Sequence, residues 1–334
     1  MFGDINVDVL NSISSYPQPG KDATAAEVVL RPGGSAANTA LALTKLGVKT
    51  KMIGRTGDDV WADIALEPLA KAGIDIHSVR RDPDNPTGLI FIPVTANGER
   101  TMFSYRGANL MISASEIEPQ TLANSSILHL SGYNFLVSPQ KEASYRAVEL
   151  AQDMGIDLSM DIGTVPAAQA KHELERILPL LNLVILGSDE AGELLSSQTP
   201  EEAITALLER GVSMVAFKLG QDGCIVADRT GKYRLPAFEV ETVDTTGAGD
   251  AFCAGMLFAR LHDLSLPAAG LLANALGGLA TTVWGGGGDM PERGEVLSFL
   301  QTQENKRTKA GEILSKLRDS IKLQQPRRNE HDIE

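Results

Sequence analysis

The stretch Val243-Asp244-Thr245-Thr246-Gly247-Ala248-Gly249-Asp250-Ala251-Phe252 follows the strand-like Phe238 to Thr242 and leads into a helical run ending near Leu261. A glycine-rich turn at such a junction leaves backbone N–H groups unpaired at a helix N-terminus. Those donors and the positive end of the dipole attract anionic oxygens. Gly247, Ala248 and Gly249 are therefore candidate anion-hole residues, suited to a phosphoryl group whose charge spreads in a transition state. Asp250 falls in the first turn of the same helix, where its ionised form is favoured and can accept a hydroxyl proton as a general base. Read alone, Gly-Ala-Gly-Asp is also an ordinary turn with an aspartate at a helix start.

Competing chemistries find less support. Gly247-Ala248-Gly249-Asp250-Ala251-Phe252 lacks the third small residue of a dinucleotide fingerprint and lies late in the chain. No Gly-x-x-x-x-Gly-Lys-Ser/Thr P-loop occurs. His77, His129, His172, His262 and His331 are scattered without metal-ligand spacing. The net charge of -13 argues against a nucleic-acid surface, which needs clustered Lys and Arg. Cys224 and Cys253 are too few for a disulfide framework, no apolar run approaches a membrane span, and Met1 to Leu10 lacks a signal pattern; a cytoplasmic setting is expected.

Working outward, the chain reads as α/β. Ile127 to Leu130, Leu158 to Asp161, Leu183 to Leu186 and Met214 to Leu219 are predicted buried strands. Helical spacing over Ala143 to Met154 and Pro200 to Arg210, each followed by a glycine, predicts helices on the faces of a parallel sheet. The first hundred residues differ. Val9 to Ser14, Ala25 to Leu30, Gly88 to Val94 and Arg100 to Tyr105 read as a small antiparallel sheet, with Asn97-Gly98 as a hairpin turn. Helices at Ser35 to Leu46 and Trp61 to Ala72 interrupt it, so a lid is inserted in pieces into a larger body. Beyond Thr302 the chain turns polar; Ile313, Leu314, Leu317 and Ile321 are consistent with a short docked helix, and disorder is expected over at least the last ten residues.

A second stretch, Arg31-Pro32-Gly33-Gly34-Ser35-Ala36-Ala37-Asn38-Thr39-Ala40, puts a glycine pair before an alanine-rich helix. Gly33, Gly34 and Ser35 let the backbone approach a ligand closely, and Asn38, one turn in, can offer its two-sided amide to a polyol. The same pattern also serves as a tight turn packed on a sheet.

Taken together, these two stretches resemble the PfkB, or ribokinase-like, family of carbohydrate kinases, and the order and spacing of motifs agree over about residues 1 to 300. The resemblance implies a Rossmann-like parallel-sheet body with helices on both faces and a β-sheet lid. It implies a kinase domain over 1–302, with lid strands at about 9–31 and 88–106 and a tail at 303–334. It also implies ATP as donor, Mg2+, a small sugar-like acceptor, Asp250 as base and Gly247 to Gly249 as anion hole. Asn6 and Asp8, in Gly3-Asp4-Ile5-Asn6-Val7-Asp8, match positions that bind substrate hydroxyls. Lys218, Gly220 and Gly223 resemble the segment bordering the nucleotide, and Asn274 falls where the family places a residue beside the adenine. Arg106 resembles a lid arginine that reaches the substrate.

Departures from the family pattern bear on metal and on the first strand. Gly187-Ser188-Asp189-Glu190 has glycine where asparagine is usual, which implies altered metal handling, while Glu190 is retained to orient the water shell of Mg2+. Asp244 and Gly285 to Gly288 resemble a monovalent-cation region, so activation by K+ is an expectation. The few apolar residues that normally complete the first strand are missing ahead of Gly3, and an upstream start is one reading of that. A homodimer through the lid, a nucleoside acceptor and a non-catalytic sensor on the same fold are the remaining alternatives.

Overall fold

The computed structural model describes residues 1–96, 99–284, 287–306 and 311–323. Its strands in chain order are β1 (Asn6–Ile13), β2 (Glu27–Gly33), β3 (Lys51–Gly57), β4 (Asp75–Asp82), β5 (Gly88–Thr95), β6 (Phe103–Tyr105), β7 (Ile127–Ser131), β8 (Asp157–Asp161), β9 (Leu183–Leu186), β10 (Met214–Lys218), β11 (Cys224–Asp228) and β12 (Lys232–Leu235). The helices are α1 (Ser35–Lys45), α2 (Val60–Lys71), α3 (Pro119–Leu122), α4 (Gln140–Asp153), α5 (Thr164–Gln169), α6 (Lys171–Ile177), α7 (Ser188–Leu195), α8 (Pro200–Glu209), α9 (Ala248–Leu261), α10 (Leu266–Ala280), α11 (Arg293–Lys306) and α12 (Gly311–Leu323).

β7, β8, β9 and β10 are parallel neighbours, and β11 and β12 extend that sheet antiparallel from β10. Runs such as Leu-Val-Ile-Leu in β9 are apolar at every position because helices cover both faces. α1, α9 and α10 pack one face and α4, α7 and α8 the other, each side burying its own apolar cluster. The parallel pair β3 and β4 meets this body at the segment Met1 to Gly3, where Phe2 bridges Ile53 of β3 and Leu130 of β7. There the Met1 amine donates to the Lys51 carbonyl, beside a cavity of about 790 Å³ lined by Lys49, Lys51, Ile127 and His129 among others.

The second sheet runs β2-β1-β5-β6. β1 lies antiparallel to β2 and parallel to β5, and β6 closes the edge antiparallel to β5. The side-chain period of two puts Asn6, Asp8 and Leu10 on one face, with Val7 and Val9 on the other. The expected turn at Asn97-Gly98 lies outside the described residues, as do Gly285, Gly286 and the chain after Leu323.

Four readings are corrected here. The small sheet, predicted antiparallel, is mixed, because its two central strands β1 and β5 run parallel. Phe238 to Thr242, predicted as a strand, is irregular backbone, so α9 is entered from a loop rather than directly from a strand. β3, β4, β11 and β12 form without having been predicted. The boundary expected at 302 falls inside α11, and α12 docks against α10 and α11 with Leu314, Leu317 and Ile321 buried.

Candidate active site

α9 begins as the sequence predicts. Gly247, with φ of 77°, is its N-cap, a left-handed conformation that suits glycine, and Asp250 stands in the first turn. The Ala248 N–H makes a long 3.3 Å bond to the Thr245 carbonyl, whereas the N–H groups of Gly247 and Gly249 have no hydrogen-bond partner among the described residues. Two of the three expected anion-hole donors are thus free.

α1 comes from the glycine pair and meets α9 at this point. Ser35 Oγ donates to Asp250 Oδ1 at 2.7 Å, and Asn38 Nδ2 donates to Oδ2 at 2.8 Å. The carboxylate is fixed by two donors from the helix that follows Gly33 and Gly34. Both glycines are required by close approach: a Cβ on Gly33 would lie 2.2 Å from Asp8 Oδ1, and one on Gly34, whose φ is 101°, would lie 2.2 Å from the Asp4 carbonyl oxygen. Burial pushes the Asp250 carboxyl up to about 6; the bonds from Asn38 and Ser35 and the charge of Lys218 oppose that rise, and the charge of Asp161 adds to it. Asp8 is raised to about 7, by burial first and by the charge of Asp250 second. Asn38 Oδ1, on the same amide whose Nδ2 holds Asp250, is buried without a hydrogen-bond partner among the described residues.

Asn6 is buried and its Oδ1 accepts from Asn109 Nδ2 at 2.8 Å, while Asn109 Oδ1 accepts from the Ile5 N–H. Arg106 folds back on Asp4 in a two-pronged pair at 2.7 and 2.8 Å and also donates to Gln140. Its Nη1 is buried without a hydrogen-bond partner among the described residues. Asn109 and Gln140 were not read as functional; neither carries a pattern signal, because each is recruited by residues more than thirty positions away.

A second cluster stands at the carboxyl ends of β8 and β10, where parallel sheets place their sites. Lys218 Nζ lies 2.9 Å from Asp161 Oδ1 and 3.8 Å from Glu190 Oε1. Burial works to lower the Lys218 pKa, yet the charges of Asp161 and Glu190 prevail and raise it, so the ammonium is retained. Glu190 is raised chiefly by burial, with Lys218 opposing, and its Oε2 accepts from the Gly187 N–H at the start of α7. A Cβ on Gly249 would stand 4.0 Å from Lys218 Nζ, so this ammonium borders the anion hole. Asp161 was missed as a site residue; its only signal was an acidic side chain at a strand end. Among the described residues no cluster of three or more His, Cys, Asp or Glu side chains converges on one point. A Mg2+ ion, held largely by water and phosphate, fits the Glu190 carboxylate without such a cage.

The remaining candidates make no hydrogen bond to Asp250 among the described residues. Gly220 is exposed with φ of 58°, and Gly223 is packed so tightly that a Cβ would meet the Leu235 carbonyl oxygen at 2.1 Å. Asn274 Nδ2 donates to the carbonyls of Leu235 and Pro236 at 3.2 and 3.1 Å, tying α10 to the end of β12. Asp244 is buried and accepts from Arg100 at 2.7 Å.

A carboxylate held by two donors, free amides at a helix head and a largely buried ammonium beside them suit phosphoryl transfer to an alcohol group. The chain belongs to the pfkB family of carbohydrate kinases, whose model matches residues 1–293. It is 28% identical over 315 residues to a probable fructokinase-4 of Arabidopsis thaliana, covering 90% of this chain and 95% of that protein. It is also 28% identical to fructokinase-1 of Zea mays, covering 90% and 96%. Among solved structures it resembles ribokinase from Thermotoga maritima, with a TM-score of 0.79 at 28% identity over 90% of this chain and 98% of that one. A Ribokinase II from E. coli in complex with ATP and Mg2+ superposes with a TM-score of 0.81 at 27% identity, over 90% and 98%. The fold is ribokinase-like, and no helix among the described residues is long and apolar enough to cross a membrane.

Proposed function

We propose that the chain transfers the terminal phosphoryl group of ATP to a hydroxyl of a small sugar, with Asp250 as general base. The observation that carries this is Asp250 itself, held through both oxygens by Ser35 and Asn38 at the head of α9. Asp250 accepts the proton of the acceptor hydroxyl as that oxygen attacks in line, and the free amides of Gly247 and Gly249 donate to the phosphoryl oxygens as their charge develops. The orphaned Asn38 Oδ1 takes a substrate hydroxyl as donor, and Asp8 and Asn6 complete the acceptor side. Lys218 offsets charge beside Gly249. Bound Mg2+ would neutralise phosphate oxygens, with Glu190 orienting its water shell. Gly220, Gly223 and Asn274 border the nucleotide on this reading, and Arg106 braces the acceptor side through Asp4.

The small sheet acts as a lid, its Asn6 and Asp8 face turned to the substrate. Its outer face carries Leu30, Phe91 and Phe103 in one cross-strand row, all exposed, with Val28 and Tyr105 beside them. An exposed apolar sheet face of this kind favours a homodimer through the lids. Both cysteines are free and buried, in keeping with the cytoplasm.

The test is ADP release from ATP and Mg2+ over a panel of sugars, sugar acids and nucleosides. Fructose comes first because fructokinases are among the relatives. Asp250→Asn is expected to lower kcat by about 10²–10⁴-fold with ATP affinity nearly unchanged. Turnover retained in that variant removes the base assignment, turnover only on a nucleoside moves the acceptor class, and ligand-induced thermal stabilisation without any product favours a sensor.

A further inference from the structure

Arg100 stands where the chain returns along β5, bridged to Val94, and its side chain leaves the small sheet for the turn that precedes α9. Nη1 donates to Asp244 Oδ1 at 2.7 Å and to Thr246 Oγ1, and Nη2 donates to Thr245 Oγ1 at 2.5 Å. The Arg100 and Asp244 side chains are 22% and 5% exposed. Asp244 Oδ1 also accepts from the N–H and Oγ1 of Thr246 at 2.9 and 2.8 Å, which fixes the backbone just ahead of Gly247. The junction borders a cavity of about 140 Å³ lined by Val94, Arg100, Asp244 and Trp284 among others.

These contacts join two elements that share no strand. Asp244 is a buried carboxylate a few residues before the Gly247 and Gly249 amides, and an unbalanced negative charge there opposes any anion those amides receive. With the small sheet lying against the body, as here, all three hydrogen bonds are made. Resting on the kinase reading above, we propose that Arg100 is a positioning residue: it couples closure of the lid to the shape of the anion-hole turn, and its guanidinium balances the charge of Asp244. The role expected there of a monovalent cation thereby falls to a side chain of the protein, and turnover is the same in K+, Na+ and a large organic cation.

The test combines turnover of Arg100→Ala and Arg100→Lys with amide hydrogen exchange over 243–252 in the ligand-free proteins. Losing charge-assisted bonds to a buried partner predicts a kcat about 10- to 100-fold lower in Arg100→Ala. The KM for ATP should change by less than about threefold, with partial recovery in Arg100→Lys and on adding guanidinium at non-denaturing concentration. Exchange at 245–249 should quicken by about fivefold or more. A kcat within about twofold of wild type overturns the coupling. So does a loss that merely tracks lowered melting, with no recovery by lysine or guanidinium. If the wild-type protein turns over no sugar, the kinase reading fails on its own; exchange then decides the coupling, and unchanged rates over 243–252 overturn it.

Discussion

In the proposed mechanism Asp250 must be ionised when the acceptor hydroxyl arrives and protonated afterwards, and its surroundings suit both states. Burial raises its pKa to about 6, which makes it a stronger base than a solvated aspartate, while Ser35 and Asn38 donate to the ionised form and restrain the rise. Turnover should therefore fall as pH drops through about 6, because the protonated carboxyl cannot accept. Removing a donor to the ionised form raises the pKa further. Ser35→Ala is accordingly expected to move the acidic limb of the pH–kcat profile to higher pH, by roughly half to one unit, with the high-pH plateau lowered less than in Asp250→Asn. A limb that stays in place, or moves to lower pH, would mean that the Ser35 bond does not hold the carboxylate during turnover.

At the scale of elements, the loop between β2 and α1 is set by what its two glycines touch. Gly34 has φ of 101° and faces backbone, the Asp4 carbonyl oxygen, which cannot step aside. Gly34→Ala should cost about 2–4 kcal/mol and lower the melting temperature. Gly33 faces the Asp8 carboxylate, a side chain that can rotate. Gly33→Ala should leave the melt nearly unchanged yet reduce kcat/KM for the acceptor by about tenfold or more, because Asp8 is displaced. Equal effects of the two substitutions on stability would contradict this division. Both glycines and the helix they introduce were legible because they combine a local turn signal with helical periodicity. β3 and β4 were not, since Gly54, Arg55 and Thr56 interrupt the apolar pattern and Arg55 is buried only by pairing with Asp82 and Glu116, 27 and 61 residues away. Phe238 to Thr242 failed in the opposite sense: its composition suits a strand, but among the described residues it joins no ladder. The same holds for the site. Asp250, Gly247, Ser35 and Asn38 announce themselves by motif, whereas Asp161, Asn109 and Arg100 acquire their roles only from partners brought in by the fold.

Across the whole molecule, the two faces of the main sheet are closed by helices of different origin, and the C-terminal pair α11 and α12 finishes the face that carries α9 and α10. Leu314, Leu317 and Ile321 of α12 are all within 1% of full burial, and Arg318 adds a 2.6 Å bond to Glu304 of α11. Three such side chains bury apolar area worth about 1.5–3 kcal/mol each, an upper figure because the unfolded chain already hides part of it. Ending the chain after Lys306 should therefore lower the melting temperature by roughly 5–10 °C. Turnover at 25 °C should stay within about twofold of the full chain, since α12 contributes no residue to the acceptor or phosphoryl side. The discriminating measurement is kcat for the shortened protein well below its own melting point. Full activity there makes α12 a stabilising cover. A large loss with an intact melt would mean that α12 acts through α10, which holds Asn274 against the end of β12, and would make the C-terminal helix part of the nucleotide side of the site.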